Sequence, residues 1–203
     1  MSIPTERKIE EETRSLDQTS NQQPSEKYSR SELRARKTDR HAFKNQPRTP
    51  IVLILDGVEG HYNKGAIFRL CDAFMIEHLH LCHTYLAAGH RRFIKAARGT
   101  FKWVPHSEGE ETLSVIQRYK EKGYQIMVAE QCERSIEIWQ ATWTTPLCIV
   151  LGGELSGVSA EVLSQADQCI ELPTMGMANS LNVSMSAGML VFAAYQQYIQ
   201  SLK

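Results

Sequence analysis

Three short clusters of glycine and polar residues contain the side chains of this chain that are best suited to chemistry. They lie at residues 63–69, 151–157 and 173–184 and read NKGAIFR, LGGELSG and PTMGMANSLNVS. Asparagine and serine side chains can position a polar group by hydrogen bonding, arginine can bind a phosphate, and glycine lets the backbone approach a ligand closely. The second cluster lacks the GK[ST] ending of a phosphate-binding P-loop. The pattern therefore favours another kind of ligand, held where turns connect strands to helices.

Each polar residue in these clusters also has a purely structural interpretation. Ser180 and Asn182 precede a long apolar helix and can cap it, and Asn63 can cap the helix that follows it. Arg69 lies within the helix that follows Asn63, where an arginine is usually a solvated surface charge. Glu154 can be a loop carboxylate that faces water. These alternatives remain open on the residues alone.

The elements that would position the clusters alternate between strands and helices. Continuous or alternating aliphatic runs predict five strands, at residues 51–55, 78–83, 124–129, 147–151 and 168–172. The spacing of apolar residues predicts helices at 65–75 and 112–122, after Ser159, and from Ser180 to about Ile199. Such alternation indicates an α/β fold with a mostly parallel sheet flanked by helices, and ligand sites at the carboxyl ends of the strands.

Taken together, the three clusters resemble the three motifs of the SpoU/TrmH family of SPOUT RNA 2'-O-ribose methyltransferases. Asn63, Gly65 and Arg69 match the first motif, N-x-G-x-x-x-R. The second motif, G-x-E-x-x-G, is matched at 152–157, and the third, P-x-x-G-x-x-x-S-L-N-V-S, at 173–184. The resemblance implies a SPOUT-type fold with a C-terminal trefoil knot, and a homodimer paired across the last helices.

The resemblance also implies a reaction and the residues that perform it. The cofactor would be S-adenosyl-L-methionine, and the product would be an RNA, either tRNA or rRNA, methylated on a ribose 2'-OH. The catalytic residues would be Arg69, Asn63, Glu154, Ser180 and Asn182. The cofactor-binding residues would be Gly152, Gly153, Leu172 and Leu181, with Gly152 leaving room for the ligand.

The high pKa of a guanidinium limits the chemical role of Arg69. A guanidinium essentially never gives up its proton in proteins, so we expect Arg69 to bind the substrate phosphate and to stabilise the developing alkoxide. Glu154 would fix the guanidinium, either of its own chain or of the other subunit, through a paired hydrogen bond. The general base can be a phosphate oxygen, a water molecule or Arg69 itself.

Two basic segments are candidate RNA-binding surfaces. Residues 1–49 form a polar N-terminal extension before a methyltransferase domain at 50–203, and its second half is basic from Lys27 to Arg48. This extension can contact RNA phosphates or remain a flexible, solvated tail. Residues 89–99 are interpreted as a phosphate-binding loop in which Phe93 stacks on a base, and a plain solvated loop is the alternative. The predicted RNA contacts are Arg91, Arg92, Phe93, Lys95 and Arg98.

Composition limits the remaining possibilities. The 203 residues carry no net charge, so RNA affinity must come from local patches. Five cysteines without a C-x-x-C pair predict free thiols, and His78, His80 and His83 do not converge on a metal because the third faces away on a strand. With no signal-like N-terminus and no apolar run of about 20 residues, we expect a cytoplasmic protein without membrane or metal partners. The rival function is a non-catalytic RNA-binding protein that retains the SPOUT fold.

Overall fold

The structure is a computed structural model that describes residues 27–37, 42–43, 45–86 and 88–203. The chain divides into two units, residues 1–46 and 47–203. In the first unit, helix α1 (Arg30–Ala35) begins after Ser29, whose side chain accepts a hydrogen bond from the backbone of Glu32 in a reciprocal capping box. Most of the predicted N-terminal extension, and with it the prediction that this segment is flexible, lies outside the described residues.

A seven-stranded sheet with parallel pairings forms the centre of the second unit. The strands are β1 (Thr49–Asp56), β2 (Ile76–Cys82), β3 (His106–Glu110), β4 (Gln125–Ala129), β5 (Ser135–Glu137), β6 (Leu147–Gly152) and β7 (Gln168–Glu171). Their order is β3-β2-β1-β6-β4-β7-β5. The five predicted strands are confirmed to within two residues at each end. The edge strands β3 and β5 have no counterpart in the sequence prediction.

Among the described residues of the second unit, five α-helices flank this sheet. They are α2 (His61–Ala73), α3 (Arg91–Ala97), α4 (Thr112–Lys120), α5 (Ala160–Ser164) and α6 (Val183–Ser201). Helix α2 begins four residues before the predicted start, and α6 begins three residues after it. Helix α5 begins directly after Ser159 as predicted, and the Ser159 side chain caps it by accepting from the N–H of Val162. Helix α3 occupies the segment that the sequence analysis interpreted as a loop.

The aliphatic run of β1 supplies both apolar layers of the fold. Ile51, Leu53 and Leu55 pack into the layer that also holds the buried faces of α2, α3 and α6. Val52 and Ile54 point the other way, into the layer beneath α4 and α5. Alternate strand residues face opposite sides of a sheet, so a strand covered on both sides is apolar throughout. This explains why β1 shows no polar alternation in the sequence.

Three further sequence predictions concern the chain as a whole. The cysteines are free thiols as predicted, four of them buried, and burial raises the pKa of Cys82 to about 12. Among the described residues, no helix is both long and apolar enough to cross a bilayer. The predicted trefoil knot depends on how the chain threads, which strand order and pairing do not define, and it stays a prediction.

Candidate active site

A pocket of about 800 Å³ opens at the carboxyl ends of β4, β6 and β7. One wall is the glycine turn at residues 152–158, and another is the segment 179–183 that leads into α6. Parallel strands end at one edge of a sheet, so this edge collects residues that are far apart in the sequence. The lining includes seven predicted site residues, which are Gly152, Gly153, Leu172, Leu181, Glu154, Ser180 and Asn182.

The glycine turn after β6 closes on itself. The N–H of Gly157 donates to the carbonyl of Gly153 at 3.0 Å, and the two residues form an antiparallel bridge. A Cβ atom on Gly152 would collide with the backbone of Gly157 and lie 2.7 Å from the nitrogen of Val158. The missing side chain of Gly152 therefore leaves room for the turn, and the expectation that it also leaves room for a ligand stays a prediction. Gly152 nevertheless lines the pocket.

Glu130, which the sequence analysis did not single out, braces this turn from the end of β4. Its Oε2 accepts a hydrogen bond from the N–H of Val158 at 2.9 Å. Gly157 has a φ of +62°, and a Cβ there would collide with the same carboxylate. The next residue, Gln131, donates from Nε2 to the carbonyl of Asn179 at 3.3 Å. The end of β4 thus contacts both walls of the pocket, and its place directly after a buried strand is the signal that could have indicated it.

A chain of side-chain hydrogen bonds joins the three sequence clusters beside this pocket. Asn63 donates from Nδ2 to Oε1 of Glu154 at 2.5 Å, and Asn182 donates from Nδ2 to Oδ1 of Asn63 at 3.1 Å. Asn182 in turn accepts at Oδ1 from the N–H of Ser184 at 3.0 Å and from its hydroxyl at 2.6 Å. Asn63 is only 8% exposed, and both ends of its amide are satisfied. The first motif is therefore held in a fixed orientation against the other two.

The structure also decides between capping and other roles for these residues. Asn63 lies in the first turn of α2, whose N-cap is Gly60, so its interpretation as a helix cap is wrong. A Cβ on Gly60 would lie 2.5 Å from Oε1 of Glu154, and the glycine therefore permits the contact with Asn63. Asn182 is the N-cap of α6 and a partner of Asn63 at the same time. Ser180 precedes this cap and is exposed.

Arg69 lies apart from this chain of hydrogen bonds. Its side chain is exposed on α2, and within the described part of the chain no residue forms a hydrogen bond or ion pair with it. Six residues of an ideal helix rotate a side chain by about 240° and advance it by about 9 Å. Arg69 therefore faces away from the contact between Asn63 and Glu154. The structure does not bring Arg69 together with Glu154 of the same chain.

The predicted RNA-binding loop is the amphipathic helix α3. Arg91, Arg92, Lys95 and Arg98 are exposed along it. Phe93 is fully buried, with its ring 5.7 Å from that of Phe68 and 5.3 Å from that of Phe101. The prediction that Phe93 stacks on a nucleobase is therefore wrong, because the ring faces the core. The sequence showed this in the helical spacing of Phe93, Ala96 and Ala97, which form the buried face.

One cation of the predicted basic extension belongs to the second unit. The guanidinium of Arg48 donates to the carbonyl of Ile76 at 3.1 Å and to that of Trp103 at 3.2 Å. Arg48 therefore supports the packing of β2 and the segment before β3. It should not be counted among phosphate-binding side chains of the extension.

A second polar cluster lies between β2, β3 and α4. Nδ1 of His80 is 2.7 Å from Oε2 of Glu110 and 2.7 Å from Oγ of Ser107, and its Nε2 is 3.1 Å from the hydroxyl of Tyr119. Burial lowers the pKa of His80, so we assign a neutral ring. A nucleophilic serine would face the ring nitrogen opposite the carboxylate, whereas here both share Nδ1. The cluster is structural, and among the described residues no group of His, Cys, Asp and Glu is arranged to hold a metal ion.

The sequence profile of the SpoU rRNA Methylase family matches residues 50–192. A relative, the tRNA (guanosine(18)-2'-O)-methyltransferase of Aquifex aeolicus (strain VF5), is 32% identical over 149 residues, or 72% of this chain and 69% of that protein. The chain therefore belongs to the SpoU rRNA methylase family, as its three motifs predict.

Solved structures confirm the predicted fold class. The crystal structure of the A. aeolicus TrmH/SpoU tRNA modifying enzyme matches with a TM-score of 0.67 and 30% identity, over 76% of this chain and 78% of that one. The AdoMet-bound rRNA methyltransferase from Sinorhizobium meliloti matches with a TM-score of 0.68 over 74% of this chain and 57% of that one. At 22% identity, the second match concerns the fold alone.

Proposed function

We propose that this protein is an RNA methyltransferase that uses S-adenosyl-L-methionine to methylate a ribose 2'-OH of tRNA. The observation that carries the proposal is the hydrogen-bonded chain of Glu154, Asn63 and Asn182, which unites all three motifs beside one pocket. The A. aeolicus relative is named for methyl transfer to guanosine 18 of tRNA. That nucleotide is accordingly the first position to examine.

The pocket fits the cofactor in size and in lining. Its volume of about 800 Å³ lies in the range of small-molecule sites. Leu172 and Leu181 offer apolar contact to a purine, and the backbone near Gly152 offers polar groups to its edge. When bound, S-adenosyl-L-methionine supplies a methyl group that is already activated by the sulfonium. The chain's own contribution is to orient the reactants and to stabilise charge.

Asn182 and Ser180 line the pocket and orient the reacting ribose, and Asn63 holds Asn182 through a hydrogen bond. The amide of Asn63 is held at both ends, so its orientation is fixed before substrate binds. Ser180 is exposed at the pocket wall and is available to a ligand. Arg69 keeps its proton, binds phosphate and stabilises the alkoxide. The base that removes the 2'-OH proton is then a phosphate oxygen or a water molecule.

The protein forms a homodimer through α6. One face of this helix is buried in the fold, but Met185, Met189 and Phe192 are 55%, 45% and 57% exposed on another. An apolar stripe at this spacing favours a protein partner. The ring of Phe192 lies 6.4 Å from that of Phe74, the C-cap of α2, which places the stripe beside the end of the helix that carries Arg69. Arg69 of one subunit is thus available to the pocket of the other.

The exposed cations of α3 bind the RNA backbone. Arg91, Arg92, Lys95 and Arg98 share the solvent-facing side of a helix whose other side is fixed in the core. Cations in this arrangement bind phosphates without a large loss of chain entropy. Action on cellular RNA also favours the cytoplasm as the location of the protein.

Methyl transfer to an unmodified tRNA transcript separates this function from its rival. We expect the purified protein to bind S-adenosyl-L-methionine in a calorimetric titration and to produce ribose-methylated nucleosides, detected by mass spectrometry after nuclease digestion. Asn182→Ala should abolish the product, because the N-cap of α6 and the contact with Asn63 are lost together. RNA binding without any methylated product, at saturating cofactor and with tRNA and rRNA both offered, would favour the non-catalytic RNA-binding protein.

A further inference from the structure

Tyr85, in the segment between β2 and α3, exposes an aromatic ring that packs against the backbone on one side. Its side chain is 68% exposed. The ring lies against the backbone of Gly109, where a Cβ atom would be only 2.7 Å from one ring carbon and 2.9 Å from the hydroxyl oxygen. Gly109 has a φ of +72°, so glycine suits this position on two grounds. The ring is therefore supported on one side while most of its surface remains accessible.

The backbone on either side of Tyr85 is anchored at several points. Nζ of Lys64 donates to the carbonyl of Tyr85 at 2.8 Å and to Oγ1 of Thr84 at 2.9 Å. The N–H of Gly109 donates to the carbonyl of Thr84 at 3.2 Å, and the N–H of Leu86 donates to the carboxylate of Glu108. An exposed tyrosine in an ordinary surface loop would not have this number of anchors. The anchors fix the backbone that carries the ring, and the close contact with Gly109 supports the ring itself.

Lys64 is an unusual anchor because it is only 2% exposed. Burial lowers the pKa of Lys64, which reflects the cost of placing an ammonium group away from water. Two hydrogen bonds, to one carbonyl and one hydroxyl, offset only a small part of the free-energy cost of burying this charge. Lys64 directly follows Asn63 in α2, so it ties the Tyr85 segment to the turn that carries the first motif. This position points to a role in the site.

The surroundings of Tyr85 favour nucleic acid over protein as its ligand. The next helix along the chain, α3, begins five residues beyond Leu86 and presents Arg91 and Arg92 to solvent. An apolar protein partner would require a broader apolar patch around the ring. An RNA strand instead presents unpaired bases for stacking and phosphates for cations, at neighbouring points. Tyr85 can supply the stacking face, and Arg91 and Arg92, a few residues further along the chain, can supply the cations.

We propose that Tyr85 is a stacking platform for one unpaired nucleobase of the RNA substrate, and that Lys64 is the positioning residue that holds it. The inference rests on the proposed RNA methyltransferase function and assigns to Tyr85 the stacking contact that the buried Phe93 cannot make. Stacking accepts any base, so the platform holds a nucleotide in place without reading its identity. It therefore acts on the binding of RNA, and the methyl-transfer step is left to the residues of the pocket.

Tyr85→Leu tests the platform, with Tyr85→Phe and Tyr85→Trp as matched controls. In methyl transfer to an unmodified tRNA transcript at saturating cofactor, we expect Tyr85→Leu to raise KM for RNA by about tenfold or more and to leave kcat within about twofold. Tyr85→Phe and Tyr85→Trp keep an aromatic face and should retain a KM close to that of wild type. Equal KM values for the leucine and phenylalanine variants would overturn the proposal.

Direct binding of the same transcript keeps this test separate from that of the catalytic function. Fluorescence anisotropy should show weaker RNA binding for Tyr85→Leu than for Tyr85→Phe, with cofactor affinity unchanged in both. That difference would support the platform even in a wild-type protein that transfers no methyl group. Equal RNA affinities for the two variants would overturn the platform, even if the wild-type protein is an active methyltransferase.

A double-mutant cycle tests whether Lys64 acts through Tyr85. We expect Lys64→Met to raise KM for RNA in the wild-type background but to add little to the effect of Tyr85→Leu. Thr84→Val, which removes one acceptor of the Lys64 ammonium group, is the second variant if Lys64→Met does not fold. The same fold-change in both backgrounds would show that the lysine does not position the tyrosine.

Discussion

At the scale of single residues, the most sensitive position in the pocket is Gly152, because backbone occupies the space of a side chain there. Gly152→Ala should force the turn at 152–158 to shift, since its Cβ would collide with Gly157. We expect the free energy of unfolding to fall by about 1–3 kcal/mol and cofactor affinity to fall with it. Denaturant unfolding and calorimetric titration of S-adenosyl-L-methionine measure the two effects.

Gly176→Ala is the matched control for this prediction. Gly176 belongs to the third motif but has no atom within 4 Å of the position of an added Cβ. Its substitution should change stability and cofactor affinity very little. If Gly152→Ala were as harmless as Gly176→Ala, the close approach of the turn to Gly152 would be of no consequence.

Motif residues could be predicted from the sequence wherever the residue type restricts the chemistry. Asn63, Glu154 and Asn182 fall into one hydrogen-bonded chain, as their motif positions suggest. Phe93 shows where such reasoning fails, because an aromatic ring suits a core as well as a nucleobase. Only the face of the helix on which it lies decides between the two. Glu130 carries no motif at all, and its role follows from a fold that brings β4 beside β6.

At the scale of elements, buried strands were easy to predict and edge strands were not. The central strands are aliphatic because apolar layers cover both sheet faces. Strand β3 reads HSEGE and β5 reads SIE, and each pairs with a single neighbour at an edge of the sheet. Such strands need no apolar alternation, so composition alone does not reveal them. Helix α3 was interpreted as a loop for a similar reason, because glycines flank it and many of its residues are charged.

Gly65 of the first motif is an element-scale feature, since it lets α2 and α3 pack closely. An added Cβ would lie 2.7 Å from the carbonyl oxygen of Phe93 and 2.9 Å from the nitrogen of Ala97. Gly65→Ala should therefore push α3 away and lower the free energy of unfolding by about 1–3 kcal/mol. Urea denaturation followed by circular dichroism measures this change.

Gly188 in α6 provides a control for the same substitution in another helix. No atom lies within 4 Å of an added Cβ there. Gly188→Ala should raise the stability of the folded chain by up to about 1 kcal/mol, because alanine is the better helix former. Equal effects of the two substitutions would show that the close packing of α2 against α3 does not restrict this position to glycine.

The cluster around Glu110 should make stability depend on acid pH. Burial alone would raise the pKa of Glu110, but hydrogen bonds from Ser107, Arg118 and His80 outweigh it and lower the pKa to about 2. Because this folded-state pKa lies below the ordinary value of 4.5, the stabilisation is complete above pH 4.5 and is lost as the pH falls towards 2. Solvent screening of the partly exposed pair of Glu110 and Arg118 keeps its size to roughly 1–2 kcal/mol.

Glu110→Gln removes this titrating group. We expect the variant to be less stable than wild type at pH 7 and to show a smaller loss of stability between pH 4.5 and 2. Glu133→Gln, which alters an exposed carboxylate, should retain the wild-type slope. Parallel curves for wild type and Glu110→Gln, from urea titrations at a series of pH values, would show that the cluster does not couple protonation to folding.

At the scale of the whole molecule, the position of Arg69 predicts that two subunits complete each active site. Arg69→Ala and Asn182→Ala should each be inactive as pure dimers. In a heterodimer of the two variants, one pocket would carry both defects and the other none. Random mixing should then restore activity to about a quarter of the wild-type level. If Arg69 instead serves the pocket of its own chain, mixed dimers should stay inactive. Sedimentation of the mixture is the control that dimers are present.

RNA affinity is the other property that belongs to the whole molecule, because a chain without net charge must bind through patches. Helix α3 is fixed to α2 at Gly65, so its cations need little ordering when RNA binds. We therefore expect the double substitution of Arg91 and Arg92 by alanine to lower methyl transfer more than deletion of residues 1–45 does. Both changes should leave cofactor affinity unaltered, as neither removes a residue of the pocket.

Salt dependence shows whether the two basic segments act through phosphates. Each lost phosphate contact should flatten the slope of log affinity against log salt by about 0.7–0.9. The deletion of residues 1–45 retains Arg48, whose guanidinium is held by the carbonyls of Ile76 and Trp103, so the second unit keeps this packing contact. A larger loss of methyl transfer from the deletion than from the double substitution, at matched salt and saturating cofactor, would make the extension the main RNA-binding arm. The cations of α3 would then act only as a secondary contact.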